Sequence, residues 1–356
     1  MKTAVYALLT LSMAVALLAS CSFSKSYFVV GGHVQRQELS QMLAGVDDGR
    51  TSYETRFVYV QQITTALRNH GDANRLNLFL TDYVRKHPKD PYDAYYLYVV
   101  AQDYDGAGAF PFAAAYYGRI VENYPDLLVR GKSLHYLCLT RLIKITKDPQ
   151  QRVGYYKDLI ARFGDKIQMG PTYYFLGGTY GELHEWDLEL QAFKNYLSYP
   201  DVPIPGHPEA RNEVTYFVSF YEFPKKNWAM PSLSDLVTAI RSAINNQNVS
   251  LLLHYQAKVG FFVRSWESGD TPTPDDPEFL TDFGVFMNPS VWVSDTLDAN
   301  SQEAYLRTGG WTYRIETWYL YFRRINFPAD PSVQGQWEWA GIYFGDKPFS
   351  GPQSNH

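Results

Sequence analysis

Between about Tyr53 and Tyr221 the chain reads as helix after helix, and the breaks recur at a near-fixed interval. His87-Pro88, Tyr124-Pro125, Phe163-Gly164 and Tyr199-Pro200 mark them, with second members 37, 39 and 36 residues apart. A period of that length signals one supersecondary unit stacked on copies of itself. A single helical pair cannot cover its own apolar face, whereas about three stacked pairs bury a continuous core. The hydrophobic content of 46% is enough for such a core and excludes global disorder.

The pattern inside each period narrows the reading. Leu97, Val100, Ala101 and Tyr104 fall at the spacing of W-x₂-L-G-x₂-Y, and Ala113, Tyr117 and Pro125 follow in the register of A-x₃-F and a closing proline. Tyr173, Leu176, Gly177 and Tyr180 match the first-helix pattern again, with Leu188, Ala192 and Pro200 behind them. The unit between, carrying Tyr136, Leu139, Thr140, Ile143, Tyr156 and Leu159, is degenerate, and a first unit around Ile63 to Pro88 is weaker. Gly177 and Ala101 stand where a first helix crosses its second closely. These residues resemble tetratricopeptide repeats, in the style of periplasmic lipoproteins that help assemble outer-membrane proteins. The resemblance implies an α-solenoid over residues 51–224 with an inner groove, lined by first-helix residues, that takes a protein or peptide partner. Tyr95, Tyr98 and Tyr174 are the groove candidates; Tyr173, at the tryptophan position, is expected in the core.

The N-terminus carries an address. After Lys2, the stretch from Ala4 to Ala19 is apolar apart from Thr10 and Ser12, and it ends in Leu18-Ala19-Ser20-Cys21. Residues 1–20 read as a secretory signal, to be excluded from fold reasoning. The ending resembles the lipobox of bacterial lipoproteins, which implies cleavage before Cys21, acyl chains on that cysteine, and residues 21–50 as tether and N-terminal segment. More than one chain is what stable anchoring requires. Ser22 follows, with no Asp at that position, which resembles cargo sent to the outer membrane. The expected location is the periplasmic face of that membrane, with the inner membrane or the cell surface as alternatives. With Cys21 acylated, Cys138 has no partner for an internal disulfide, and its place in Leu137-Cys138-Leu139 marks a buried thiol.

Beyond Tyr221-Glu222-Phe223-Pro224 the composition changes. Lys225 to Pro231 reads as a linker. Ser232 or Ser234 caps a helix over Asp235 to Asn246, and a short one follows over Ser250 to Tyr255. Strands are expected at Lys258 to Trp266, Gly284 to Phe286, Val291 to Val293, Trp311 to Arg323 and Gln336 to Phe344, the last two rich in aromatics. Residues 232–348 therefore form a small α+β domain with an antiparallel sheet. The element order is similar to the nuclear-transport-factor-like fold, which implies a helix over a bent sheet and a pocket; a generic interaction domain is the default. Arg314 and Glu316 share a strand face by period two, Glu338 stands on the facing strand, and with His254 they are the candidate pocket residues.

Catalytic signatures are missing from the sequence. His184-Glu185 lacks the second histidine of H-E-x-x-H, and Gly177-Gly178-Thr179-Tyr180-Gly181 lacks the Lys-Ser/Thr that completes a phosphate loop. Asp275-Asp276-Pro277-Glu278 lacks the alternating ligands of a calcium loop. A formal charge of −5, with no basic stripe, makes nucleic acid a poor partner. The expectation is a non-enzymatic, lipid-anchored envelope scaffold without metal or cofactor, held at a membrane and binding a protein or peptide in assembly or transport. The alternatives are a ligand-binding or catalytic cavity in the C-terminal domain, and a surface-exposed adhesin or antigen. Oligomeric state is not legible.

Overall fold

Local signals start most of the helices in the computed structural model, which describes residues 25–266, 283–345 and 347. Cys21, the apolar leader before it and the acidic stretch Asp275 to Glu278 lie outside the described residues. The chain divides into two compact units at 172/173.

The first unit is helical. After α1 (His33–Asp47), Ser52 opens α2 (Tyr53–Asn69) by accepting the Thr55 amide at 3.3 Å. Asp72 opens α3 (Ala73–Lys86) the same way through Arg75 N–H at 3.0 Å. Next come α4 (Asp93–Gly106) and α5 (Phe110–Asn123), whose second residue is the proline that a first turn tolerates. A two-residue ribbon, β1 (Leu128–Val129) with β2 (Lys132–Ser133), leads into α6 (Leu134–Ile145). Asp148 caps α7 (Pro149–Phe163), which carries proline at its first position.

Cross-ties give the packing directions. Tyr83, late in α3, meets Tyr96, early in α4, edge to face at 5.1 Å; Asn77, early in α3, donates to Asp103, late in α4, at 2.8 Å. The two helices are thus antiparallel. Tyr136 at the start of α6 against Phe163 at the end of α7, 5.6 Å apart, makes the next pair antiparallel too. Between pairs, Arg141 in the last turn of α6 holds Asp105 in the last turn of α4, so these two helices run side by side in the same direction. Ile63, Leu67, Leu76, Leu80, Tyr96 and Leu97 fill the core.

The second unit takes up α8 (Met169–Glu182) from Tyr173 onward, then α9 (Trp186–Ser198) and α10 (Ala210–Glu222). Gly177 and Gly181 press on Phe193 and Glu189, where an added Cβ would sit 2.4 and 2.6 Å away. The opposed order of those contacts makes α8 and α9 antiparallel and gives Gly177 the close-crossing role expected of it. Tyr173 is only half-buried, stacked on Tyr199.

Then come α11 (Leu233–Asn245), capped by Ser232, and α12 (Val249–His254). They precede a five-stranded sheet ordered β3 (Phe262–Ser265), β7 (Trp337–Phe344), β6 (Thr317–Arg324), β5 (Glu303–Gly309), β4 (Trp292–Ala299). Leu236, Val237, Ile240, Ala243 and Ile244 of α11 share a core with Leu306, Trp318, Leu320, Phe322, Trp339 and Ile342 of the sheet, and with Phe220 of α10.

Several expectations for this region are corrected. The sheet is mixed: β3 lies parallel to β7 while the other pairs are antiparallel. Parallel neighbours need a long connection, and more than 70 residues separate these two strands. Gly284 to Phe286 belongs to a one-turn helix, α13 (Phe283–Phe286), and not to a strand. The long strand expected from Trp311 begins only at Thr317, because Gly310 turns the chain at φ +79°. Trp311 folds back into the core, donating to Thr308 Oγ1 at 2.7 Å and stacking on Trp318. The preceding strand, β5, went unread. The presumed linker residue Trp228 is fully buried.

Candidate functional site

In the first unit the side-by-side run of α4 and α6 leaves a cleft of about 430 Å³. Residues three and four apart share one helix face, so α4 contributes Tyr98, Gln102 and Asp105, and α6 contributes Leu137, Thr140, Arg141 and Lys144. Tyr117 of α5 closes one side. Arg141 grips Asp105 through Nε at 2.5 Å and Nη2 at 2.6 Å, and Tyr117 OH donates to the same carboxylate at 3.2 Å. The Arg141 hydrogen bonds hold Asp105 below the usual carboxylate range. Burial raises the Tyr98 hydroxyl. Lys144 stands exposed at the rim with no ion-pair partner among the described residues. The cleft thus presents a fixed ion pair, one unpaired cation and a protonated phenol, a set suited to binding a polar segment. Both oxygens of Asp105 accept hydrogen bonds, Oδ2 from Arg141 Nε and Tyr117 OH and Oδ1 from Arg141 Nη2.

A second hollow of about 1010 Å³ opens between α5 and α7. Ala114, Ala115 and Gly118 pave its floor, with Phe110 and Tyr155 at its sides.

Of the three predicted groove tyrosines, Tyr98 lines the cleft. Tyr95, one turn earlier, is half-buried against Phe57 at 5.7 Å. Tyr174 belongs to the second unit and packs on Tyr196 at 5.5 Å and His207 at 5.3 Å. Asp105, Arg141 and Lys144 were missed. The available signal was charge at helical spacing late in α4 and α6, but the tie joins residues 36 apart, beyond any local period.

The predicted pocket residues of the C-terminal domain lie on the surface. Arg314 and Glu316 are exposed in the 310–316 loop, and Arg314 Nε donates to the neighbouring Tyr313 hydroxyl at 3.3 Å. His254 is exposed at the end of α12. The buried carboxylate is Glu338, wholly inaccessible: it accepts from Trp228 Nε1 at 2.7 Å and from Arg323 Nε at 2.8 Å. Arg323 in turn donates to Tyr216 OH at 3.1 Å. Every member has a partner, as a buried charge requires.

Two further acids are unusual. Asp93, 1% exposed, has neither carboxylate oxygen hydrogen-bonded, and burial together with nearby Asp90 pushes it up to about 7. Burial alone raises Glu189 to about 7. Cys138 is fully buried and its thiol is raised by that burial, which makes it inert. Among the described residues no three His, Cys, Asp or Glu side chains cluster to hold a metal, and no helix is long and apolar enough to cross a membrane.

A scan against protein-family models and a search of curated proteins find no match to this chain.

Proposed function

We propose that the protein is a cell-envelope scaffold, anchored through acyl chains on Cys21, whose helical repeats hold a protein or peptide segment in the α4–α6 cleft. The tetratricopeptide-like spacing and the lipobox-like leader support this reading from the sequence. The observation that carries it is the cleft: two first helices side by side, offering Tyr98, Gln102, Thr140, Arg141 and Lys144 along one open channel. An extended polar segment fits such a channel, because its backbone groups and acidic side chains find donors already fixed by the Asp105–Arg141 pair. The envelope role is assembly or transport support, with the periplasmic face of the outer membrane as the site of action.

Affinity capture from detergent-solubilised membranes tests it. A specific protein is recovered by the wild-type chain and lost with Tyr98→Ala combined with Lys144→Glu. Recovery unchanged by that double substitution refutes the cleft. Cells fed a labelled fatty acid carry label on the wild type and none on Cys21→Ser; an unlabelled wild type removes the anchor.

A further inference from the structure

In the first unit the point where the chain enters and the β1–β2 ribbon lie at the same end of the helix stack. Lys25, the first described residue, pairs with Asp47 at the end of α1 at 2.7 Å. Asp47 also lies 3.7 Å from His87, which directly follows α3. The Tyr83–Tyr96 contact sets the end of α3 beside the start of α4. Tyr104, late in α4, stacks on Phe112, early in α5, at 5.4 Å, so α5 runs back and finishes at that same end. The ribbon follows α5 directly. All of these residues belong to one compact unit. Cys21 stands four residues before Lys25, so covalent geometry keeps it within ~14 Å of this end. An acyl chain on Cys21 therefore holds this end of the stack close to a bilayer.

The ribbon itself has the chemistry of a lipid contact. Residues 124–133 join α5 to α6, whereas residues 87–92 suffice for the equivalent link from α3 to α4. The longer link turns through Arg130 at φ +51° and Gly131 at φ +77°, the two left-handed positions of a tight hairpin. It leaves Leu128 71% exposed, with Arg130 and Lys132 exposed beside it. Neither cation has an ion-pair partner among the described residues. Asp126, at the base of the ribbon, accepts instead from Ser133 Oγ at 2.6 Å and from the His135 amide at 3.0 Å. One projecting leucine with two cations supplies far less than the ~800 Å² per partner that a stable protein interface buries. It matches a phospholipid surface, where phosphates take the cations and the boundary of the acyl layer takes the leucine.

We propose that the β1–β2 ribbon is a second membrane contact, with Leu128 entering the headgroup layer and Arg130 and Lys132 paired with phospholipid phosphates. The inference rests on the acyl anchor at Cys21 proposed above. A tether alone leaves the body free to tumble, whereas a tether plus the ribbon fixes its orientation. The starts of α4 and α6 then face the bilayer, and the Arg141 and Lys144 end of their cleft opens away from it.

The acylated protein, reconstituted into vesicles of phosphatidylethanolamine and phosphatidylglycerol in equal parts, tests the proposal. A fluorophore is attached at Leu128→Cys or, as a second site, Lys132→Cys, and at Ala107→Cys, at the far end of α4. Cys138 is fully buried and takes no label. Lipids brominated near the headgroup should quench the label at 128 and spare the one at 107. Arg130→Glu with Lys132→Glu should cut the quenching at 128 about fivefold or more while the protein still floats with the vesicles. A protein that floats with position 128 unquenched, or with 107 quenched equally, overturns the ribbon contact and leaves the anchor standing. Quenching that survives the double charge reversal overturns it too. A wild type that does not float removes the anchor, and the proposal with it. A dimer in sedimentation that the charge reversal abolishes would assign the ribbon to a second copy and overturn the lipid contact.

Discussion

Replacing Asp93 with asparagine should flatten the pH dependence of the first unit's stability. Asp93 opens α4 at 1% exposure with both carboxylate oxygens unpaired. One turn on, the Tyr96 hydroxyl is likewise buried without a partner. Burial and then the charge of Asp90 raise its folded pKa from 3.8 to about 7, while the Arg119 charge offsets part of that. A raised carboxyl pKa means that the folded state holds the proton more tightly than the unfolded chain. Stability is therefore greatest below about pH 4 and declines as pH rises towards about 7. Each pH unit in that window costs about 1.4 kcal/mol, so complete ionisation costs at most about 4 kcal/mol. Asparagine cannot ionise but still buries a polar group, so Asp93→Asn lies within about 1 kcal/mol of wild type at pH 4. By pH 8 the variant exceeds it by about 2–4 kcal/mol. Urea unfolding followed by circular dichroism across pH 4–8.5 measures the gap. Both proteins keep Glu189, His87 and His135, so their difference isolates one carboxyl. Parallel stability curves over the whole range would refute the argument.

Two adjacent glycines in α8 make opposite predictions. Gly177→Ala places a methyl 2.4 Å from the Phe193 ring and should cost about 1–3 kcal/mol. Gly178→Ala meets nothing within 4 Å and should gain about 0.5–1 kcal/mol. Thermal melts compare them, and equal shifts would sink the close-crossing account. Glu338→Ala should cost about 3–5 kcal/mol in urea unfolding, because Arg323 loses its buried partner; a loss under 1 kcal/mol would show the pair to be dispensable.

Much of this fold is legible one helix at a time. Caps at Ser52, Asp72, Ser133 and Asp148 and prolines 111 and 149 announce helix starts within a residue or two, because each satisfies or spares a local amide. The strands β6 and β7 declare themselves by aromatic content, while β5 hides. Its inward residues are Ala304, Leu306 and Thr308, only one of them large and apolar, and the Gly309-Gly310 beside it reads as a turn. Arg314 and Glu316 were misplaced for a related reason: period two projected a strand backwards from Trp318 through a loop that Gly310 and the core position of Trp311 dictate.

The sequence by itself settles where most of the helices run, since caps and apolar spacing act over a few residues. The meeting of distant groups is decided only in three dimensions. Arg141 finds Asp105 across 36 residues, Trp228 finds Glu338 across 110, and β3 settles beside β7 in the parallel sense. Those encounters depend on the order in which apolar faces stack, a property of the assembled core that no single window of residues encodes.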